Sequence, residues 1–214
     1  MAGADIMQEA YSFSGYRFGH DAQHTYAYLC PAILEALSKL NAKTVLEIGC
    51  GNGTLAKAIA DHGMKIAGLD PSESGIENAR KILPESKFYC MNVYDDPARI
   101  ENNDLDAVVA AEVIEHLFRP RALLRFAHAK LRPGGFLLLT TPYHGYLKNL
   151  ALSFLDKWDF HHAPQTDGGH IKFWSRRSLT RVLQKENFEV VDFVGAGRLP
   201  YLWKSMLLVA QKTG

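Results

Sequence analysis

From Thr44 onward, short continuous apolar runs alternate with stretches whose apolar residues return every three or four positions. TVLEIG, KIAGLD, SKFYC, LDAVVAA and GFLLLT are the runs. Being continuous rather than alternating, they predict strands covered on both faces. Between them, GTLAKAIADHG predicts a helix that packs Leu55 and Ile59 and stops at Gly63, and SESGIENARKIL a second with Ser72 as N-cap. RALLRFAHAKL predicts a third, with Leu123, Leu124, Ala127 and Leu131 inward. Strand and helix in strict turn imply a parallel sheet with right-handed crossovers. After Thr141 the rhythm breaks, and residues 143–173 read as an irregular, aromatic-rich stretch. SLTRVLQKENF then resumes as a helix, and FEVVDFVG and SMLLVAQK follow closely enough to form an antiparallel pair that finishes the sheet. Ahead of the first strand, DAQHTYAYLCPAILEALSKL carries Tyr26, Leu29, Ile33 and Leu37 on one helical face, with Pro31 as a kink or restart. The first 20 residues show no period.

At 214 residues, with no repeat, low-complexity tract or linker, the chain reads as one domain. Its 47% hydrophobic and 22% charged residues exclude disordered, collagen-like and disulfide-scaffold classes. A net charge of +1 gives no global positive field and argues against a nucleic-acid partner, although a local basic patch is compatible with it. MAGADIMQEA lacks a basic n-region and an apolar h-region, and no stretch is long and apolar enough for a transmembrane segment. The reading is a soluble, cytoplasmic protein. Cys30, Cys50 and Cys90 are odd in number and scattered, so reduced thiols are expected rather than disulfides or a thiolate zinc site.

In VLEIGCGNGTLAKAI a strand runs into Glu47, Gly49, Gly51 and Gly53 and then into a helix. Glycines permit a tight turn and a close backbone approach to a ligand, and the helix N-terminus favours negative charge. Asp70, 21 residues after Gly49 at the end of the next strand, stands near the offset at which an acid accepts hydrogen bonds from a ribose. Dinucleotide binders pass a pyrophosphate along GxGxxG. This loop is ExGxGxG, and a carboxylate beside it suits an amino group better than a pyrophosphate.

EIGCGNG, Asp70, AAEVIEHL and LRPGGFLLLTTP together resemble the class I S-adenosylmethionine-dependent methyltransferases over residues 40–211, most of all the O-methyltransferases of ubiquinone biosynthesis. The resemblance implies an α/β, three-layer Rossmann-like fold: a seven-stranded, mostly parallel sheet with an antiparallel last strand and helices on both faces. It also implies binding of S-adenosyl-L-methionine and release of S-adenosyl-L-homocysteine. Glu47, Gly49 and Gly51 would line the methionine part, with Cys50 in the same loop. Asp70 would take the ribose hydroxyls, with Pro71 beside it in the cofactor site, and Asn92 and Val93 would flank adenine. Ala111 would sit near the amino group and sulfonium. Where the family often has Asp, this chain has Asn92, whose amide oxygen accepts the same hydrogen bond. On this reading residues 1–40 form a helical lid, 41–142 the cofactor half, 143–173 an acceptor-side insert and 174–214 the closing helix and strands.

Glu112, Glu115 and His116 fall at i, i+3 and i+4, on one face if a helical turn follows the fourth strand. Glu115 and His116 read as a solvated or capping pair; alternatively His116, with Glu112, takes the proton of an acceptor hydroxyl, or the trio forms a divalent-metal site. The insert adds weight to the metal site: residues 143–173 hold four of the nine histidines, His144, His161, His162 and His170, where even scattering would put about one. GGHIKFWS resembles the corresponding place in metal-using methyltransferases that act on catechols or RNA ends, which makes Glu112, Glu115, His116 and His170 the candidate ligands. His161 and His162 read as neutral pocket-covering residues. Tyr143, His144, Tyr146, Phe154, Trp158, Phe160, Phe173 and Trp174, with Tyr16, Arg17, Phe18 and His20, are the expected walls and lid. Leu147, Leu150, Ala151 and Phe154, at helical spacing, read as ordinary packing, while the amphipathic LKNLALSFLDKW leaves peripheral membrane contact open. The function expected is methyl transfer to an oxygen of a small aromatic or prenylated acceptor. A metal-assisted RNA 2′-O-methyltransferase, a noncatalytic partner subunit and, last, a dehydrogenase are the alternatives.

Overall fold

The computed structural model describes residues 20–214 apart from 102, 163 and 165–168, with side chains from residue 25 onward. Tyr16, Arg17 and Phe18, and the side chain of His20, lie outside the described residues. In chain order the elements are α1 (His20–Lys39), β1 (Thr44–Ile48), α2 (Thr54–Asp61), β2 (Lys65–Asp70), α3 (Glu73–Ile82), β3 (Lys87–Cys90), β4 (Leu105–Ala111), α4 (Pro120–Lys130) and β5 (Leu131–Pro142). They continue with α5 (Tyr146–Phe154), α6 (Trp158–His162), α7 (Arg176–Lys185), β6 (Phe188–Ala196) and β7 (Ser205–Lys212). A 3₁₀ turn, Ile114–His116, follows β4.

The strands form one seven-stranded sheet in the order β3-β2-β1-β4-β5-β7-β6. Only β7 runs against its neighbours β5 and β6. The continuous apolar runs are buried as expected, with Val108, Val109, Leu137, Leu138 and Leu139 fully inaccessible. One apolar cluster, with Leu123, Leu124, Leu179 and Leu183, covers one face of the sheet; the other, with Ile33, Leu37, Ala56 and Ile59, covers the opposite face. Ser72 caps α3 by accepting the Gly75 N–H, with Glu73 in its first turn and Arg80 and Lys81 in its last, charges placed with the helix dipole. Strand order reverses between β1 and β4, and in open α/β sheets that reversal opens a crevice beyond the carboxyl ends of the strands.

Three local expectations change. Helix α1 continues through Pro31 instead of restarting there. Two helices, α5 and α6, occupy the stretch that reads as irregular. The face that reads as ordinary packing is turned outward: Leu147, Leu150 and Phe154 are exposed, whereas Lys148 is buried. No helix among the described residues is long and apolar enough to cross a membrane.

Candidate active site

Gly49, Gly51 and Gly53 all have positive φ, of 76°, 51° and 81°. The loop they form is stitched to the end of β2. Leu69 O accepts from Gly49 N–H (2.8 Å) and Cys50 N–H (3.0 Å), and Asp70 Oδ2 accepts from Gly51 N–H (2.9 Å). The other oxygen of Asp70 accepts from Ser72 N–H at 2.8 Å. Burial raises the Asp70 pKa while these two amides oppose the rise. A Cβ at Gly49 would lie 2.4 Å from Val113 Cγ2, so this glycine lets the loop after β4 press against the loop after β1. Gly49→Ala therefore combines a left-handed φ with a steric overlap and is expected to cost roughly 2 kcal/mol or more, checked by urea unfolding.

Glu47 is buried at the end of β1, and its Oε2 has no hydrogen-bond partner. Burial, then the neighbouring Asp70 charge, pushes its carboxyl up to about 8, against the Ala56 backbone amide. A carboxyl whose folded pKa is raised supports the fold fully below its unfolded pKa and loses that support as pH rises through the folded value. Glu47→Gln should accordingly gain stability relative to the parent between about pH 5 and 8, by an amount on the order of a few kcal/mol, checked by thermal unfolding at a series of pH values. Cys50 is buried, and burial pushes its thiol up, out of reactive range. Pro71 is exposed, Asn92 and Ala111 are half-buried and Val93 is buried along the same crevice. Asn92 Oδ1 accepts from Tyr94 N–H at 3.3 Å, leaving it a second lone pair.

Across the crevice, the loop after β4 departs from the simple helical turn. Glu112 has a φ of 54°, and only Ile114–His116 form the 3₁₀ turn, so the three side chains do not share one face. Glu115 turns inward and is fully buried, with no hydrogen-bond partner on either oxygen. Its carbonyl accepts from Ile171 and Lys172 N–H, both at 3.0 Å, which pins the strap of residues 169–175 over it. His170 Nε2 consequently lies 3.9 Å from Glu115 Oε1, and the His116 and His170 rings meet edge-on at 4.9 Å. One ligand atom from each of Glu115, His116 and His170 falls within 4.8 Å of the others, the spacing of a small cation site. Burial, with the Glu112 charge adding to it, raises the Glu115 pKa well above the carboxylate range. Burial and then His116 push His170 down to about 4, so its imidazole is neutral.

Glu112 stands apart from these three among the described residues. Its carboxyl accepts from Thr140 Oγ1 at 2.9 Å and from Ser205 Oγ at 3.3 Å, and burial pushes it up to about 7. Tyr143 belongs to the core, packed edge-on against Trp203 at 5.1 Å. His144 is buried, with an unpartnered Nε2, in a group with His162 (5.4 Å), His161 (6.2 Å) and Phe173 (5.2 Å). Burial, then Lys148, drives the His144 pKa to about 3 and that of His161 to about 4, so both are neutral, as the sequence suggests for His161. Lys148, Thr140 and Ser205 escape sequence reading. A hydroxyl in the apolar run LLLTTP is the one signal that could have pointed to Thr140.

The model for a methyltransferase domain matches residues 18–192. The chain is 26% identical over 165 residues to the ubiquinone biosynthesis O-methyltransferase of Coxiella burnetii (strain RSA 493 / Nine Mile phase I), covering 76% of this chain and 70% of that one. It is 27% identical over 172 residues to that of Hydrogenovibrio crunogenus, covering 79% and 71%. Magnesium protoporphyrin IX methyltransferase from Synechocystis PCC 6803, solved with bound S-adenosylhomocysteine, superposes with a TM-score of 0.67 at 16% identity, covering 99% of this chain and 95% of that one. With the family match spanning most of the sequence and the sheet order of a Rossmann-like fold, the chain belongs to the methyltransferase-domain family and is an S-adenosylmethionine-dependent methyltransferase.

Proposed function

We propose that the chain transfers a methyl group from S-adenosylmethionine to a hydroxyl oxygen of a small aromatic or prenylated acceptor, assisted by a divalent cation at Glu115, His116 and His170. The observation that carries this reading is Glu115: a carboxyl fully buried beside two imidazoles at the carboxyl end of β4, with no well-formed hydrogen bond to either oxygen and only the Thr141 hydroxyl and a backbone amide near it. An uncompensated buried carboxylate is costly, and a cation would satisfy it, since His170 Nε2 at 3.9 Å lies beyond hydrogen-bond distance. Mixed carboxylate and imidazole donors suit divalent transition-metal cations such as manganese or zinc.

The cofactor crevice fits its ligand on the same kind of evidence. The orphan oxygen of Glu47 calls for a donor, which the ammonium of the methionine part provides, and the Asp70 carboxyl keeps lone pairs for the ribose hydroxyls. Pro71, Asn92 and Val93 would bound adenine, and Gly49, Cys50, Gly51 and Ala111 the amino-acid end. The sulfonium supplies the transferable methyl, and a bound cation would lower the pKa of the acceptor hydroxyl. What remains for the protein is alignment: holding oxygen, methyl and sulfur in line and excluding water, effects worth up to about 7–11 kcal/mol in well-oriented systems. The neutral His144 and His161 bring no charge to the acceptor side, and the outward apolar face of α5, with Leu147, Leu150 and Phe154, suits a hydrophobic tail or contact with a membrane surface.

The test is transfer of labelled methyl from S-adenosylmethionine to a catechol, with and without a chelator. Label on oxygen that disappears with chelator and returns with manganese is expected. Transfer confined to nitrogen or to RNA would overturn the acceptor class. Transfer insensitive to chelator but dependent on His116 would overturn the cation and make His116 the base.

A further inference from the structure

Helix α1 reaches toward two of the buried carboxyls, Glu47 and Glu112. On the cofactor side its Leu29, Cys30 and Ile33 pack in one apolar cluster with Cys50 of the glycine loop and with Leu55 and Ala56 of α2, whose backbone amide faces Glu47. Tyr28 of the same helix points to the start of β7, where Ser205 stands. Ser205 donates to Glu112 Oε2, and the Tyr28 hydroxyl has two partners in reach, Ser205 Oγ at 3.2 Å and Thr25 Oγ1, to which it donates at 3.5 Å. The opposite oxygen of Glu112 accepts from Thr140, whose hydroxyl oxygen in turn accepts the Glu112 N–H at 3.0 Å. Thr140 and Ser205 are both fully or almost fully buried on adjacent antiparallel strands, Ser205 pairing with Pro142, two residues beyond Thr140.

This network holds Glu112 in a conformation that a non-glycine residue avoids, a φ of 54°. That one left-handed residue turns the chain out of β4 and into the 3₁₀ turn that sends Glu115 inward. The insert is fastened at the same place. Lys148 of α5 donates from Nζ to Tyr143 O at 2.8 Å and to Lys204 O at 3.5 Å, and Lys204 immediately precedes Ser205.

We infer that Tyr28 and Ser205 are positioning residues that, through the Glu112 carboxyl, couple occupancy of the cofactor crevice to the order of the loop carrying Glu115 and His116. Filling the crevice fixes α1 against Glu47. The Tyr28–Ser205–Glu112 chain then favours the one loop geometry in which Glu115 faces His170. The inference rests on the cofactor-site reading above and needs no cation.

Hydrogen exchange followed by mass spectrometry, with and without saturating S-adenosylhomocysteine, tests it. In the parent protein the product should slow exchange both at residues 49–53 and, by about fivefold or more, at residues 112–117, whose Glu112, His116 and Leu117 amides donate to Thr140, Val113 and Ile114 carbonyls. In Tyr28→Phe, which removes one hydroxyl oxygen and leaves Glu112 paired to Ser205 and Thr140, slowing at 49–53 should persist while that at 112–117 falls below about twofold. Ser205→Ala should behave alike and Ser205→Thr should restore the response. Equal slowing at 112–117 in parent and Tyr28→Phe overturns the coupling, as does its absence in the parent. No slowing at 49–53 in the parent overturns the cofactor site as well. A Glu112→Gln protein that loses manganese affinity while keeping the full exchange response would make Glu112 a cation ligand and overturn its role here.

Discussion

Replacing Asp70 with alanine should weaken S-adenosylhomocysteine binding by about 100-fold or more, measured by isothermal titration calorimetry. Two effects combine. Hydrogen bonds to a charged acceptor contribute about 1.5–3 kcal/mol each, and every 1.4 kcal/mol is tenfold in affinity, so losing the contacts to two ribose hydroxyls already reaches that range. The same carboxyl also accepts from Gly51 N–H and Ser72 N–H and so holds the glycine loop against the N-terminus of α3. Asp70→Asn should recover little. Both oxygens face backbone N–H donors, so the amide nitrogen must oppose one of them wherever it points. Near-parent affinity in either variant would remove Asp70 from the cofactor site.

The second large effect is expected at the acceptor side. His170→Ala and Glu115→Gln should each lower kcat for a hydroxyl acceptor by about 100-fold, the scale at which general-acid/base or electrostatic assistance is lost. Affinity for S-adenosylhomocysteine should stay within about threefold, because the residues assigned to the cofactor follow β1 and β2, at Gly49–Gly51 and Asp70, whereas Glu115 follows β4 and His170 lies in the strap over it. The two substitutions should differ in stability. Glu115→Gln removes a buried carboxyl whose raised pKa burdens the fold as pH rises, so it should stabilise the protein at alkaline pH. His170, held neutral down to about pH 4, supports the fold above its unfolded pKa near 6.5, and that support fades as pH falls toward 4. His170→Ala should therefore show a smaller drop in melting temperature between pH 6.5 and 4 than the parent. Equal loss of cofactor affinity and kcat would point to general disruption instead of a site.

The glycine loop and Asp70 were legible because their chemistry is local in sequence: a strand end, a turn only glycine tolerates and an acid one βαβ unit later. The sheet was legible for a related reason, since strands covered on both faces leave unbroken apolar runs. Glu112 was not, because the helical-spacing argument holds only if the residue begins the turn, and its left-handed φ places it outside. Nor was the polarity of α5. Its pattern is amphipathic whichever face points inward, and tertiary contacts decided that Lys148 would be buried on backbone carbonyls while Leu147, Leu150 and Phe154 face out. The Ser205–Glu112 bond spans 93 residues, a separation over which no local pattern reports pairing. The His170–Glu115 contact spans 55 residues, and its histidine was found through the excess of that residue type in the insert and the resemblance of GGHIKFWS, not through any local pattern.

A crystal structure with S-adenosylhomocysteine bound is the most direct measurement. The account predicts the ribose hydroxyls on Asp70, the homocysteine chain against Gly49–Gly51 and the sulfur facing the space bounded by Glu115, His116 and His170. A ligand lying elsewhere on the sheet, or a sulfur turned away from those three side chains, would contradict it.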